Sequence, residues 1–354
     1  MTTTRARFVG RVGPIWMRVP GADEFGDVRA VPIGRIDRSC WVAECVRDRF
    51  DGMRTTPRPT TLIEAPRLSE RLCANVTLAA ETFQFTGSFK FRAANNVVVN
   101  VPNPSIITAS SGNFGQAMAY ACKLAGKRCT VVMPVNSVRV KVEAVRAFGA
   151  TVDLVDTTQV SRADRVRELA SKDPEAYVAS AYDDPLVIAG NASLGQELSA
   201  IATRFDVIVA PVGGGGLLSG IIQGLRQTGD TTPVIGAEPL LANDAAQSLR
   251  EGRIVASDHE IQTIADGART MSLGKHNWAI IKEGVETIVE VSEEQIREAV
   301  RLLFTLANLK SEPTGGLTTG ALLAAPTRFR DRRVCCVVSG GNVDPALYRD
   351  LLSV

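Results

Sequence analysis

Val207-Ile208-Val209-Ala210-Pro211-Val212-Gly213-Gly214-Gly215-Gly216-Leu217 is the stretch on which the fold turns. A β-branched run ends on four glycines, and a helical pattern starts near Leu217. Backbone without side chains lets several N–H groups approach one anion, and the following helix adds its dipole. The segment reads as a phosphate cradle or as a merely tight turn. It has no Walker lysine and no G-x-G-x-x-G pattern, so neither the NTPase nor the dinucleotide reading fits.

The same alternation extends both ways. Strands are expected at Ser105–Thr108, Cys129–Met133, Val152–Val155, Ala176–Ala179, Val207–Ala210, Val234–Glu238 and Val334–Val338. Helices are expected from Phe114, around Lys141–Phe148, from Ser161, near Ser193–Thr203 and from near Leu217. Ser292-Glu293-Glu294-Gln295 is a capping box that opens one more. Strands alternating with helices mean an α/β protein, with parallel sheet covered by helices on both faces. Ligands of such folds sit beyond the carboxyl ends of strands. Three glycine-containing segments follow strands directly, so all three can converge on one site.

Composition excludes several classes of partner. The 354 residues carry 45% apolar and 22% charged residues, as ordinary globular proteins do. A net charge of +2 gives no field that predicts a nucleic-acid partner or a membrane surface. No apolar run approaches the roughly 20 residues of a membrane span. Arg5, Arg7, Arg11 and Arg18 interrupt the N-terminal apolar pieces, so no signal peptide is expected. Seven cysteines without a CxxC pair point to reduced thiols and a cytoplasmic setting. Arg328 to Arg333 reads as a solvated basic loop.

The chemistry centres on Gln84-Phe85-Thr86-Gly87-Ser88-Phe89-Lys90-Phe91-Arg92. Lys90 lies among apolar and small neighbours. It is either a snorkelling surface residue or an amine kept dry. Burial disfavours the ammonium and leaves a nucleophile able to form a Schiff base. Ser110-Ser111-Gly112-Asn113 opens a helix and offers N–H groups suited to a carboxylate, or else simple capping. Ser339-Gly340-Gly341-Asn342 follows the last strand and offers a hydroxyl for a ring nitrogen, or else a turn.

These motifs, with Thr263-Ile264-Ala265-Asp266-Gly267 and Glu312-Pro313-Thr314, closely resemble the fold-type II pyridoxal-phosphate enzymes. The match is to the branch of serine/threonine dehydratases (ammonia-lyases) and serine racemases, from about Thr55 to the C-terminus. The resemblance implies two open, mostly parallel sheets with helices on both faces, as in the tryptophan-synthase β fold. It implies an N-terminal arm over 1–55, a large cofactor-binding domain over 56–104 and 182–354, and a small mobile domain over 105–181. No regulatory domain is expected after Ser339.

The resemblance also implies roles. Lys90 would hold pyridoxal phosphate and act as the base at Cα. Gly213, Gly214, Gly215, Gly216 and Leu217 would bind its phosphate, Asn113 its ring hydroxyl and Ser339 its ring nitrogen. Ser110, Ser111, Gly112, Asn113 and Phe114 would bind the substrate carboxylate. Ser111 matches the position that serves racemases as the second acid/base. Glu238, Ala242 and Asp244 resemble a divalent-cation site suited to Mg2+ or Ca2+. Phe114, where a histidine is frequent, and Tyr182 would reshape the substrate pocket. His259 and His276 read as surface or loop residues, and no histidine triad is built from them.

The expected reaction is α,β-elimination from a small β-substituted amino acid such as serine or threonine, giving a 2-oxo acid and ammonia. The rivals are racemisation through Ser111, β-replacement, and a non-catalytic cofactor-binding regulator. A homodimer without nucleic-acid or membrane partners is expected.

Overall fold

The computed structural model describes residues 56–110, 112–137, 139–202, 204–258 and 261–353. The expected N-terminal arm, Ser111 and His259 lie outside the described residues. Two sheets organise the rest. The larger has six strands: β1 (Thr61–Glu64), β2 (Asn75–Ala80), β7 (Val207–Pro211), β8 (Val234–Pro239), β9 (Thr287–Val291) and β10 (Arg333–Val338). Their order is β1-β2-β10-β7-β8-β9. Only β1 runs antiparallel to its neighbour; the other pairs of this sheet are parallel. The smaller sheet comprises β3 (Ser105–Ala109), β4 (Arg128–Pro134), β5 (Thr151–Val155) and β6 (Ala176–Ala179). Its order is β5-β4-β3-β6, and it is parallel throughout. The expected α/β architecture with two mostly parallel sheets is the one observed.

Period-two alternation fills both faces of the large sheet. Val334, Cys336 and Val338 of β10 join one core with Val207 and Val209. That core is closed by helices α1 (Pro66–Leu72), α10 (Glu293–Ala307) and α11 (Pro313–Ala324). Cys335, Val337, Ile208 and Ala210 point the other way. They meet α6 (Pro185–Ser199), α7 (Gly216–Gln227), α8 (Asp244–Glu251) and α9 (Lys275–Gly284). The adjacent cysteines are therefore two ordinary core residues on opposite faces, and both are free thiols. The small sheet packs Ile106, Val131 and Met133 against α2 (Lys90–Asn100) and α3 (Asn113–Ala125). Its other face packs Ile107 and Val132 on Val166 of α5 (Arg162–Lys172). Helix α4 (Arg139–Ala147) joins the first of these faces, beside α2 and α3, through Val142 and Val145.

Several elements depart from the sequence reading. The helix expected near 193–203 is α6, which starts eight residues earlier. Asp184 accepts from the Leu186 N–H at 2.7 Å, and Pro185 occupies its first turn. Strands β1, β2 and β9, and helix α2 behind Lys90, are additions to the expected elements. The basic run Arg328–Arg333 is partly ordered: α12 (Pro326–Phe329) starts before it, and Arg328 and Arg333 pair with Glu286 and Asp206. A last helix, α13 (Pro345–Leu352), follows. No helix among the described residues is long and apolar enough to cross a membrane.

One buried ionic knot fastens the segment ahead of Lys90. Arg92 is 1% exposed and clamps Glu81, also 1% exposed, through Nε at 2.8 Å and Nη2 at 2.9 Å. Its Nη1 and Nη2 reach Glu197 of α6 at 2.7 and 2.9 Å. Removing one partner of a buried pair strands the other charge, which costs about 3–5 kcal/mol. Arg92→Ala is expected to lose stability in that range in chemical denaturation; a loss below about 1 kcal/mol would show that Glu81 finds solvent instead.

Candidate active site

Lys90 is the first residue of α2. The chain reaches it through two short 3-10 turns, Glu81–Phe83 and Phe85–Gly87, and an extended, fully buried Ser88. This approach is stitched to the loop beyond β10. Phe89 N–H donates to the Ser339 carbonyl at 3.0 Å, and Gly341 N–H donates to the Gly87 carbonyl at 3.0 Å. Asn342 Nδ2 donates to the Thr86 carbonyl at 2.7 Å and to Asn113 Oδ1 at 2.8 Å. Asn113 Nδ2 then donates to Glu312 Oε1 at 2.8 Å. Four of the sequence motifs thus meet in one hydrogen-bonded network.

The Lys90 Nζ donates to the Ala181 carbonyl at 2.9 Å and lies 5.0 and 5.6 Å from the ring centres of Phe89 and Phe114. Burial lowers its pKa to about 8, while the nearby Glu312 carboxylate pulls upward. Glu312 itself, 4% exposed, is pushed up to about 8 by burial first and Asp266 second. In sequence Glu312 belongs to a recognisable motif but has no assignable role. Nothing local marks it, because its partners lie far off in the chain.

The tetraglycine segment follows β7 and ends in α7. Gly215 has φ +93°, a conformation that favours glycine, and a Cβ there would lie 2.8 Å from Ile281 Cδ1. A Cβ on Gly214 would overlap the Tyr182 ring. Tyr182 directly follows Ala181, the residue that holds the Lys90 amine. The Tyr182 carbonyl accepts from Asn277 Nδ2 at 3.1 Å, and the same nitrogen donates to the Gly214 carbonyl at 2.7 Å. Residues 181–182 therefore link the amine to the glycine loop. Leu217 is buried behind that loop.

Ser110 follows β3, and its Oγ accepts from the Gly112 N–H at 3.3 Å. Gly112 is the N-cap of α3, so Asn113 and Phe114 form its first turn. Phe114 is buried in the core of the small sheet. His276, half-exposed, lies 3.1 Å through Nδ1 from Asp183 Oδ1.

The residues expected to bind a cation are close in sequence and buried. Glu238 accepts from Ala245 and Ala246 N–H at 2.9 and 2.8 Å. Both Oδ atoms of Asp244 are buried without a hydrogen-bond partner. Burial raises Asp244 to about 7, against the longer-range pull of its own and the Leu273 N–H groups. Burial and then Asp244 raise Glu238 well above an ordinary carboxyl. Ala242 ends the 3-10 turn between them. Among the described residues, no group of three or more His, Cys, Asp or Glu side chains is placed to hold a metal ion.

The sequence signature of the pyridoxal-phosphate dependent enzymes matches residues 53–340. The chain belongs to that family. It is 36% identical over 297 residues to an L-threo-3-hydroxyaspartate ammonia-lyase of Pseudomonas sp, covering 83% of this chain and 92% of that protein. It is 33% identical over 298 residues to a serine racemase of Schizosaccharomyces pombe, with the same coverages. Its fold superposes on the crystal structure of a T.th. threonine deaminase with a TM-score of 0.78 at 37% identity, over 85% of this chain and 98% of that one.

Pyridoxal phosphate fits the residues present. The Ser339 Oγ at the end of β10 is buried with no hydrogen-bond partner, as are the Oγ of Ser88 and the Oγ1 of Thr86, close in sequence to Lys90. Orphaned buried hydroxyls cost free energy unless a ligand satisfies them. A primary amine of lowered pKa and a side-chain-free loop at a helix N-terminus supply the two anchors that an aldehyde and a phosphate require.

The amine must be unprotonated to attack the aldehyde. Its pKa lies below the free lysine value, so the reactive fraction grows as pH rises through about 8. The rate at which the apoprotein takes up pyridoxal phosphate, followed by violet-edge absorbance, is expected to rise with that midpoint. Glu312→Gln removes the charge that holds the ammonium, so the midpoint should move to lower pH; an upward move would show that Glu312 does not act on Lys90.

Proposed function

We propose that the enzyme eliminates the β-hydroxyl of a small β-hydroxy amino acid and releases a 2-oxo acid and ammonia. The observation that carries this reading is the Lys90 amine, enclosed against the Ala181 carbonyl with its pKa drawn down towards neutrality. When bound, pyridoxal phosphate supplies a conjugated system that draws electrons from Cα and makes its proton acidic. Lys90 would hold the cofactor, and its Nζ would take the Cα proton of the substrate. Ser110, Ser111, Gly112, Asn113 and Phe114 would hold the substrate carboxylate, with the Gly112, Asn113 and Phe114 N–H groups at the N-cap and first turn of α3. Asn113, oriented by Glu312 and Asn342, would hold the ring hydroxyl. Ser339 would offer the ring nitrogen a neutral hydroxyl, which could not sustain a charged pyridinium as a carboxylate would. That favours loss of a β-substituent over transamination. Water then hydrolyses the released enamine, after tautomerisation to the imine, and sets ammonia free.

Relatives named as hydroxyaspartate ammonia-lyases and a structural neighbour named as a threonine deaminase support elimination. Relatives named as serine racemases keep racemisation as a second reading, in which Ser111 is the acid/base on the face opposite Lys90. Residues 105–181, which carry their own sheet, are read as the small mobile domain beside the large domain of 56–104 and 182–354.

Lys90→Ala is expected to abolish both the yellow colour of the loaded protein and turnover. Ammonia release from serine, threonine and 3-hydroxyaspartate, with chiral analysis of the remaining amino acid, separates the readings. Elimination predicts ammonia and 2-oxo acid in equal amounts. D-enantiomer formed faster than ammonia, and lost in Ser111→Ala, would favour the racemase.

Glu238, the Ala242 carbonyl and Asp244 are proposed to hold a divalent cation such as Mg2+ or Ca2+, with water completing its shell. The buried Asp244 oxygens without partners support this. Asp244 has a raised folded-state pKa, so the folded protein binds the proton more tightly than the unfolded chain. Stability therefore falls as pH rises from the ordinary carboxyl range, about 4, through about 7. A cation replaces the proton and offsets that loss. Millimolar Mg2+ or Ca2+ should raise Tm more at pH 8 than at pH 5, and Asp244→Asn should erase the gain. An equal gain in the variant would remove the site.

A further inference from the structure

The tetraglycine loop has no side chains of its own with which to hold its shape. Three buried polar side chains from elsewhere grip its carbonyls. Asn277 Nδ2 of α9 donates to the Gly214 carbonyl at 2.7 Å, and the Gly274 N–H adds a second bond at 3.1 Å. Ser219 donates to the Gly215 carbonyl through Oγ at 2.8 Å and N–H at 2.9 Å. Asn191 Nδ2 of α6 donates to the Gly216 carbonyl at 2.9 Å. Ser219 Oγ also lies 2.8 Å from Asn277 Oδ1; its single hydrogen goes to one acceptor or the other, and when it goes to Asn277 the Ser219 N–H still holds the Gly215 carbonyl. Asn191, Ser219 and Asn277 are each 0% exposed.

The geometry has a directional consequence. In a trans peptide unit the C=O and the next N–H point opposite ways. Carbonyls of Gly214, Gly215 and Gly216 drawn into the protein leave the N–H groups of Gly215, Gly216 and Leu217 aimed away from it, beyond the end of β7. The Gly214–Gly215 peptide lies ahead of α7 and could flip at little cost, because glycine populates both signs of φ, whereas the α7 ladder also holds the Gly215 and Gly216 carbonyls and the side chains reinforce it there. Such a flip would turn a carbonyl oxygen towards the anion. Asn191 keeps its Oδ1 without a partner. An aliphatic residue would avoid that buried orphan, so only the Nδ2 bond to Gly216 gives the amide a use there.

We propose that Asn191 and Asn277 are positioning residues that preorganise the phosphate cradle. By fixing the Gly216 and Gly214 carbonyls they keep the Leu217 and Gly215 N–H groups turned to the cofactor phosphate. This rests on the reading that Gly213–Gly216 bind that phosphate. Asn277 also donates to the Tyr182 carbonyl, next to the Ala181 carbonyl that holds Lys90, so it sets the cradle and the amine in one frame. Preorganised donors bind an anion without a reorganisation cost at the moment of binding.

The test compares two ligands of the apoenzyme, pyridoxal phosphate and pyridoxal, which differ by the phosphate alone. Binding is read from the absorbance of the Lys90-linked chromophore, with Lys90 intact throughout. Asn191→Ala is expected to weaken pyridoxal phosphate about tenfold, the worth of one good hydrogen bond, and pyridoxal less than about twofold; Asn277→Ala, which also frees the Tyr182 carbonyl beside the Lys90 amine, is expected to weaken both, and pyridoxal phosphate about tenfold more than pyridoxal. The phosphorus resonance of the bound cofactor should also shift. Asn277→Thr keeps a hydroxyl donor and should lose less than Asn277→Ala; it serves alone if the alanine variant does not fold, and then an intermediate, phosphate-selective loss is the supporting result. Equal weakening of both ligands, or no change in either, overturns the proposal. Because the readout is binding, a protein that racemises instead of eliminating leaves the inference standing, and unselective weakening sinks it while leaving the lyase reading intact.

Discussion

An amine that has to lose its proton near neutral pH cannot be left in water, and an apolar enclosure for it has to be built before any chemistry starts. Here the enclosure is made of backbone as much as of side chains. The Ala181 carbonyl accepts from the Lys90 amine, and Phe89 and Phe114 supply the dry walls. The approach to Lys90 is then fixed twice over. The Gly87–Phe89 backbone is sewn to the Ser339–Gly341 loop, and Arg92, two residues on, is locked between Glu81 and Glu197. A buried pair of this kind contributes little net stability. What it does is leave the first turn of α2 a single position, so that the amine meets one carbonyl.

The motifs that can be read in sequence share one property: their meaning is carried by their own residues. Four glycines after a β-branched run mean an anion cradle or a tight turn, and Lys90 among apolar neighbours means a perturbed amine or a surface one. The α/β alternation is legible for the same reason, since Ile208, Val209 and Val334–Val338 are apolar at every position and are buried on both faces. Shorter or more exposed strands escape. Strand β1 is exposed along most of its four residues and carries no run to recognise. The start of α6 is hidden because Val187 and Ile188 look like strand until Asp184 and Pro185 are seen as a cap.

The part of the site that sequence does not reveal is polar and long-range. Asn277 is one asparagine inside an ordinary amphipathic helix, and its partner Gly214 is 63 residues away. Glu312 follows the same pattern, meeting Asn113 across 199 residues. A side chain whose value lies wholly in a distant partner leaves no period, spacing or composition behind. Its trace appears only in three dimensions, as a buried polar group that would be costly without that partner.

The two kinds of residue divide the work of the site. Gly213–Gly216 supply freedom, and Asn191, Ser219 and Asn277 remove it again in one chosen direction. The same division holds around the amine, where Lys90 supplies a flexible four-carbon stem and Ala181 its resting point. A glycine loop alone would be a poor anion site because it is as ready to present oxygen as nitrogen. The shape of the loop therefore cannot be credited to the glycines alone, because the Gly214 and Gly216 carbonyls are held from behind by amides of α9 and α6.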